Sequence, residues 1–181
     1  MIAIENKLHV LEDILTKKGS PVLEQLNPGL TIEFVENIFN GLNIHDEIKA
    51  LYKWRGGTKN LYGIQDSILE ILPFGKFFNT TDLFRMYNIN IDYEVFENPS
   101  EFLPIFGSGE SEMYLIKTDG SSTIYYVSPG ANIYCEPFFE SLCSMIDCII
   151  ECYEKEVFKI DSVKGLSVDF KEYYLVLEKY K

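Results

Sequence analysis

Residues 102–127 read FLPIFGSGESEMYLIKTDGSSTIYYV and contain three short apolar runs, at residues 102–106, 113–117 and 123–127. Glycine-containing turns separate these runs, at residues 107–109 and 119–120. Strand-length runs joined by glycine turns are typical of an antiparallel meander. Two further runs, at residues 69–74 and 132–135, extend the same pattern at either side. The sequence therefore predicts a sheet of four to six mainly antiparallel strands over residues 69–135.

Helical periodicity surrounds this β-rich region on both sides. Apolar residues recur every three or four positions in the first 20 residues, at residues 32–39 and at residues 46–54, and again after Pro137 over residues 138–153. A shorter helix is predicted at residues 81–87, and Asp169 caps a last helix. With 181 residues and no change of composition along the chain, we expect one α+β domain over residues 1–181. N-terminal helices and a long C-terminal helix would pack on its sheet.

The third helical segment ends in Trp54, followed by Gly56 and Gly57. A tryptophan at a helix end is typical of a core anchor, and glycine allows the positive φ angles that turn a chain out of a helix. We therefore interpret Trp54, Gly56 and Gly57 as a structural motif. The alternative is that Trp54 is exposed and anchors a partner protein.

Negative charge is concentrated in the middle of the chain. The formal net charge is −12, and residues 86–154 contain one basic residue, Lys117, against twelve acidic ones. A surface this acidic repels phosphate backbones and anionic lipid and attracts basic proteins, which argues against nucleic-acid or membrane partners. The alternative is that the acidic excess only keeps the protein soluble.

The sequence contains no motif that indicates an enzyme, a cofactor or a metal site. His9 and His45 lie in no metal-binding spacing, and the glycine turn at residues 107–109 lacks the strand-to-helix context of a nucleotide loop. The four cysteines form no Cys-x-x-Cys pair and lie on or beside an apolar helical pattern, which favours inert core thiols. The opening residues lack a signal-peptide pattern, and no apolar run approaches a membrane span, so we expect a cytoplasmic protein.

Several segments resemble, in order, the SUKH superfamily, which comprises bacterial immunity proteins related to fungal regulators of cell-wall synthesis. The segments are Leu51-Tyr52-Lys53-Trp54-Arg55-Gly56-Gly57, Ile71-Leu72-Pro73-Phe74, residues 102–110 with 113–116, Ile124-Tyr125-Tyr126-Val127, the helix 138–153 and the tail 165–169. The similarity covers residues 30–181. Two departures are visible: Glu110-Ser111-Glu112 precedes the second strand where the family often has Asp, and Glu136-Pro137 opens the long helix where the family has a small polar residue.

The resemblance implies a function in binding rather than in catalysis. Proteins of this family neutralise a toxin delivered by competing bacteria, often a nuclease or a nucleic-acid deaminase. The expected partner is therefore a cognate protein toxin with a basic cleft. Two alternatives stay open, a regulatory or scaffold module in a signalling assembly and an enzyme of unrecognised type; the oligomeric state is also open.

Six carboxylates form the candidate partner-binding surface. They lie in the loop before the Pro104 strand and in the turns around the next two strands, where side chains are free to serve function. We expect part of this set to gather on one exposed rim; the alternative is that the carboxylates are scattered and solvated. The six are Glu94, Glu97, Glu101, Glu110, Glu112 and Asp119.

Overall fold

The structure is a computed structural model that describes residues 3–60, 63–92, 95, 97–108, 112–128 and 134–181. Within these residues the helices are α1 (Ala3–Lys17), α2 (Val22–Gln25), α3 (Ile32–Ile38), α4 (Asp46–Trp54), α5 (Asp66–Leu69), α6 (Thr80–Asp92), α7 (Leu142–Glu154) and α8 (Phe170–Leu177). The strands are β1 (Leu26–Pro28), β2 (Arg55–Thr58), β3 (Glu70–Leu72), β4 (Gly75–Phe77), β5 (Phe102–Gly107), β6 (Met113–Lys117), β7 (Ile124–Ser128), β8 (Tyr134–Phe139), β9 (Phe158–Asp161) and β10 (Gly165–Val168). A 3₁₀ helix covers Pro99–Glu101.

The main sheet has six antiparallel strands in the order β3-β4-β5-β6-β7-β8, so every strand pairs with its neighbour in the chain. This confirms the predicted α+β class and the antiparallel meander. The run predicted as one strand at residues 69–74 is two features: β3 ends at Leu72, and Phe74 lies in the turn to β4 with a φ of 57°. Two small two-stranded sheets, β1-β2 and β9-β10, complete the described strands.

The long C-terminal helix begins later than its apolar pattern indicates. We predicted a start at residue 138 with Glu136-Pro137 at its opening, and this is wrong: Pro137 belongs to β8 and pairs with Tyr125 of β7. The N-cap of α7 is Ser141, whose hydroxyl accepts a hydrogen bond from the backbone N–H of Ser144 while the Ser144 hydroxyl accepts from the N–H of Ser141. Pro137 is tolerated because β8 is an edge strand, where a proline without a backbone N–H need not break a hydrogen bond to a neighbouring strand.

The core lies between the sheet and the helices that cover it. Helix α1 packs against α7 and α4, and its predicted apolar positions Ile4, Leu8, Leu11 and Leu15 are all buried. Helix α7 buries most of its apolar face, including both Cys148 and Cys152. Across the described part of the chain, each helix is too short or too polar to pass through a lipid bilayer.

The end of α4 differs in one respect from its prediction. The ring that fills the core is Tyr52, which is fully buried and donates a hydrogen bond of 2.9 Å to the backbone carbonyl of Phe78. Trp54 is the last residue of the helix, as predicted, but it is only partly buried at the edge of the core. The positive φ expected at Gly56 or Gly57 is found at Gly57, where φ is 81°.

Candidate functional site

Glu101 and Asp119 come together at one end of the main sheet. Glu101 directly precedes β5, and its backbone carbonyl accepts a hydrogen bond of 3.0 Å from the N–H of Thr118, the residue before Asp119. Both carboxylates are exposed, as is that of Glu97 four residues before Glu101. Glu94 and Glu110, two further members of the predicted set, lie outside the described residues.

A fourth carboxylate, that of Glu140, lies at this end of the sheet, although the sequence did not predict it there. The N–H of Ser121 donates to the side chain of Asp119 at 2.9 Å, and the hydroxyl of Ser122 donates to the backbone carbonyl of Glu140 at 3.0 Å. Glu140 follows β8 and is exposed. We call Glu97, Glu101, Asp119 and Glu140 the acidic edge. Within the described residues, none of the four forms an ion pair.

Asp119 is the most firmly held member of the acidic edge. The N–H of Ser121, together with the nearby charge of Lys117, holds the pKa of Asp119 below its usual value. The side-chain amide of Asn43 donates a hydrogen bond of 2.7 Å to the backbone carbonyl of Asp119 and so ties the turn to the loop before α4. Asp119 therefore stays ionised and keeps a defined position.

Glu112 lies at the opposite end of β6. It directly precedes the strand, whereas Asp119 lies two residues after it, so at about 3.3 Å per extended residue the two are roughly 20 Å apart. The Glu112 side chain is partly buried and accepts a hydrogen bond of 2.6 Å from the hydroxyl of Ser108. The structure thus divides the predicted set between two ends of the sheet, and the binding role of its members stays a prediction.

Lysines from outside the acidic middle segment neutralise part of its charge. Lys7 of α1 pairs with Asp147 of α7. Glu151 of the same helix pairs with Lys155 and with Lys179, and these bonds hold the pKa of Glu151 at about 2. Two of the carboxylates of α7, Asp147 and Glu151, are therefore paired with lysines, whereas those of the acidic edge form no ion pair within the described residues.

A second group of carboxylates surrounds Glu70 of β3. Burial, together with the nearby negative charges of Asp66 and Glu112, raises the pKa of Glu70 to about 7. Lys76 lies opposite Glu70 in the strand pairing, but its ammonium is 3.7 Å from Asp82. Glu70 is therefore half protonated near neutral pH.

A groove of about 430 Å³ lies between α1 and α4 beside Trp54. The Nε1–H of Trp54 donates to Glu12 at 2.6 Å, and the same carboxylate pairs with the guanidinium of Arg55. Lys53 and Glu5, which also line the groove, lie 3.6 Å apart as a second ion pair. Since each carboxylate in the groove is paired with a basic side chain, the two pairs carry no net charge that would favour a charged ligand.

Cys135 and Cys143 are not activated as nucleophiles. Burial raises the pKa of Cys143 to about 12, with a further contribution from Glu47, and burial raises that of Cys135 to about 11. Protonated thiols are poor nucleophiles. His45 is an N-cap, since its Nδ1 accepts from the N–H of Glu47. In the ranges that the structure describes, no group of three or more His, Cys, Asp or Glu side chains is arranged to hold a metal ion.

No protein-family model matches the chain, and no curated protein matches its sequence.

Proposed function

We propose that this protein is an immunity protein that binds a cognate bacterial toxin with a basic cleft and so neutralises it. The observation that carries the proposal is the acidic edge, in which Glu101, Asp119 and Glu140 lie beside neighbouring strand ends and Glu97 lies four residues before Glu101. All four are exposed and form no ion pair among the described residues. The ordered similarity to the SUKH superfamily supports the same function. The proposal includes a cytoplasmic location and a role without catalysis.

The physical basis of this function is charge complementarity. A nuclease or nucleic-acid deaminase needs a basic cleft for its phosphate-bearing substrate, and an acidic protein surface attracts such a cleft and competes with the substrate. Carboxylates that are already paired lose part of this attraction, whereas those of the acidic edge keep it. The attachment of Glu101, Asp119 and Glu140 close to strand ends also limits the conformational entropy lost on binding.

The enzyme alternative is favoured by one specific observation. A carboxyl with a pKa of about 7, such as that of Glu70, has the protonation behaviour of a general acid or base. Glu70 does not line the grooves beside Trp54, Leu175, Phe34 or Phe158, so a substrate in one of those grooves would not meet it. Loss of a hydrolytic activity in Glu70→Gln would support this alternative.

The immunity function is tested by co-expression with the products of the adjacent genes. One of these products should arrest growth when it is expressed alone, and the wild-type chain should restore growth. The variant Glu101→Lys with Asp119→Lys should restore it less well. The proposal is contradicted if none of the adjacent gene products arrests growth, or if the wild-type chain fails to protect against one that does.

A further inference from the structure

Three aromatic side chains form a continuous exposed surface where the β3–β4 turn meets α8. Phe74 is 37% exposed, Phe170 43% and Tyr174 56%. The rings of Phe74 and Phe170 stack with their centroids 6.1 Å apart, and those of Phe170 and Tyr174 are 6.4 Å apart. We call these three residues the aromatic surface. Contiguous exposed aromatic rings are typical of protein interaction sites, whereas single exposed apolar residues need no explanation.

The backbone holds the aromatic surface in a fixed conformation. Phe74 has a φ of 57°, which is uncommon for a bulky residue and is typical of positions that the surrounding structure constrains for function. The buried hydroxyl of Tyr114 donates a hydrogen bond of 2.9 Å to the carbonyl of Pro73 and so fixes the turn. On the helix side, the Asp169 side chain caps α8 directly before Phe170. A preorganised surface loses little entropy when a partner binds.

Carboxylates lie along one side of the aromatic surface. Glu112 directly precedes β6 and lies two residues before Tyr114, so alternation along the strand points both side chains to one face of the sheet. The ring of Tyr114 lies 5.0 Å from that of Tyr126, and burial together with the negative charge of Glu112 raises the pKa of Tyr126 to about 12. The Tyr114 hydroxyl donates its hydrogen bond to the carbonyl of Pro73, the residue before Phe74, so this face of β6 adjoins the turn that carries Phe74. Glu70 lies four residues before Phe74 and adjoins Asp66. A ligand at the rings therefore encounters negative charge on this side.

We propose that the aromatic surface is a docking site for a protein segment that places an apolar side chain on the rings, next to lysine or arginine side chains that face Glu70 and Glu112. This inference rests on the proposed function in one respect: the molecule that binds the aromatic surface is taken to be a basic partner protein. The site is distinct from the acidic edge, because Glu112 and Asp119 lie at opposite ends of β6. A second copy of the chain is disfavoured as the occupant, because a symmetric contact would bring the carboxylates around Glu70 close to each other.

The test selects ligands from a random dodecapeptide library displayed on phage, with the full chain as the immobilised target. Enriched peptides should carry an aromatic or aliphatic residue within three positions of lysine or arginine. A synthetic copy of the best peptide should bind Phe74→Gly at least tenfold more weakly, since this change removes a ring while glycine accepts the positive φ. Tyr174→Ala should weaken binding to a similar degree.

Two further variants separate this site from general effects of α8. Leu175 is 60% exposed but lines a different groove with Lys155 and Val157, so Leu175→Ala should change the affinity less than twofold. Lys171→Glu should strengthen binding severalfold, because the exposed lysine beside Phe170 repels basic peptides. Circular dichroism should show that all four variants keep the wild-type fold.

The proposal is overturned if the selected peptides lack basic residues, if no peptide is enriched, or if Phe74→Gly and Tyr174→Ala bind like the wild type. It is also overturned if sedimentation shows a dimer that these two variants abolish, because the occupant is then a second copy. The growth assay gives an independent result: peptide binding at the rings without rescue of growth would refute the immunity function and retain the docking site.

Discussion

The indole of Trp54 donates a hydrogen bond of 2.6 Å to the carboxylate of Glu12, which connects the end of α4 to α1. The same carboxylate pairs with Arg55, the first residue of β2, so one glutamate fixes the point where helix and strand meet. Trp54 is thus a residue that joins two elements at the edge of the core. The ring at the centre of the core is Tyr52.

Truncation of Trp54 should destabilise the fold less than truncation of a fully buried ring. Trp54→Ala should lower the free energy of unfolding by about 2–3 kcal/mol, whereas Tyr52→Ala should lower it by about 3–5 kcal/mol. Trp54→Phe keeps most of the packing and loses only the N–H donor, so about 1 kcal/mol is expected. Urea denaturation measures all three. If Trp54→Ala leaves stability unchanged and abolishes partner binding, Trp54 is an interface anchor.

Protonation of Glu70 should make stability depend on pH between about 4.5 and 7. The folded state binds the proton more tightly than the unfolded chain, so stability is highest below the unfolded pKa and falls as pH rises to about 7. Glu70→Gln should remove this decline and raise the free energy of unfolding at pH 8. The gain should be on the order of 2 kcal/mol after allowance for partial exposure. The exposed Glu97→Gln serves as the control, and a decline that Glu70→Gln retains would contradict the assignment.

The capping hydroxyl of Ser141 should contribute measurably to stability. Ser141→Ala removes the acceptor for the N–H of Ser144 and should cost about 1 kcal/mol, while Ser141→Asp should retain the cap. Thermal unfolding of the two variants tests this directly. Equal stability of Ser141→Ala and the wild type would show that α7 starts elsewhere.

Gly57 should tolerate no side chain. A Cβ atom there would lie 2.4 Å from backbone atoms of Asn79, and φ is 81°. Gly57→Ala should therefore destabilise by more than about 2 kcal/mol. Gly41 has a similar φ of 84° but open space around it, so Gly41→Ala should cost only about 1 kcal/mol. Similar losses in the two variants would show that backbone strain alone decides the cost.

Local patterns in the sequence predicted the meander and the main helices because apolar periodicity and glycine turns determine these elements directly. Helix α4 and strand β6 have the predicted limits, Asp46–Trp54 and Met113–Lys117. The start of α7 could not be predicted from periodicity, because Phe138 and Phe139 continue an apolar pattern that fits both strand and helix. Ser141 was the available signal, as a capping residue ahead of that helix.

The candidate site was less accessible to sequence analysis, because it depends on which strand ends are neighbours. Glu140 lies far from Asp119 in the chain, and only the pairing of β7 with β8 brings them to the same end of the sheet. Likewise, nothing local shows that Lys7 neutralises Asp147 or that Glu112 adjoins Glu70. Phe74 and Phe170 meet only through the packing of α8 against the β3–β4 turn.

The most direct test of the central claim is the association rate with the growth-arresting product of the adjacent gene, measured by stopped flow over a range of ionic strength. The rate constant should fall steeply as salt rises, and Glu101→Lys with Asp119→Lys should lower it at least tenfold at low salt. Glu33→Lys with Glu36→Lys changes the net charge equally on α3 and should have a much smaller effect. A rate constant that ignores ionic strength, or that responds equally to both pairs of substitutions, would contradict binding through the acidic edge.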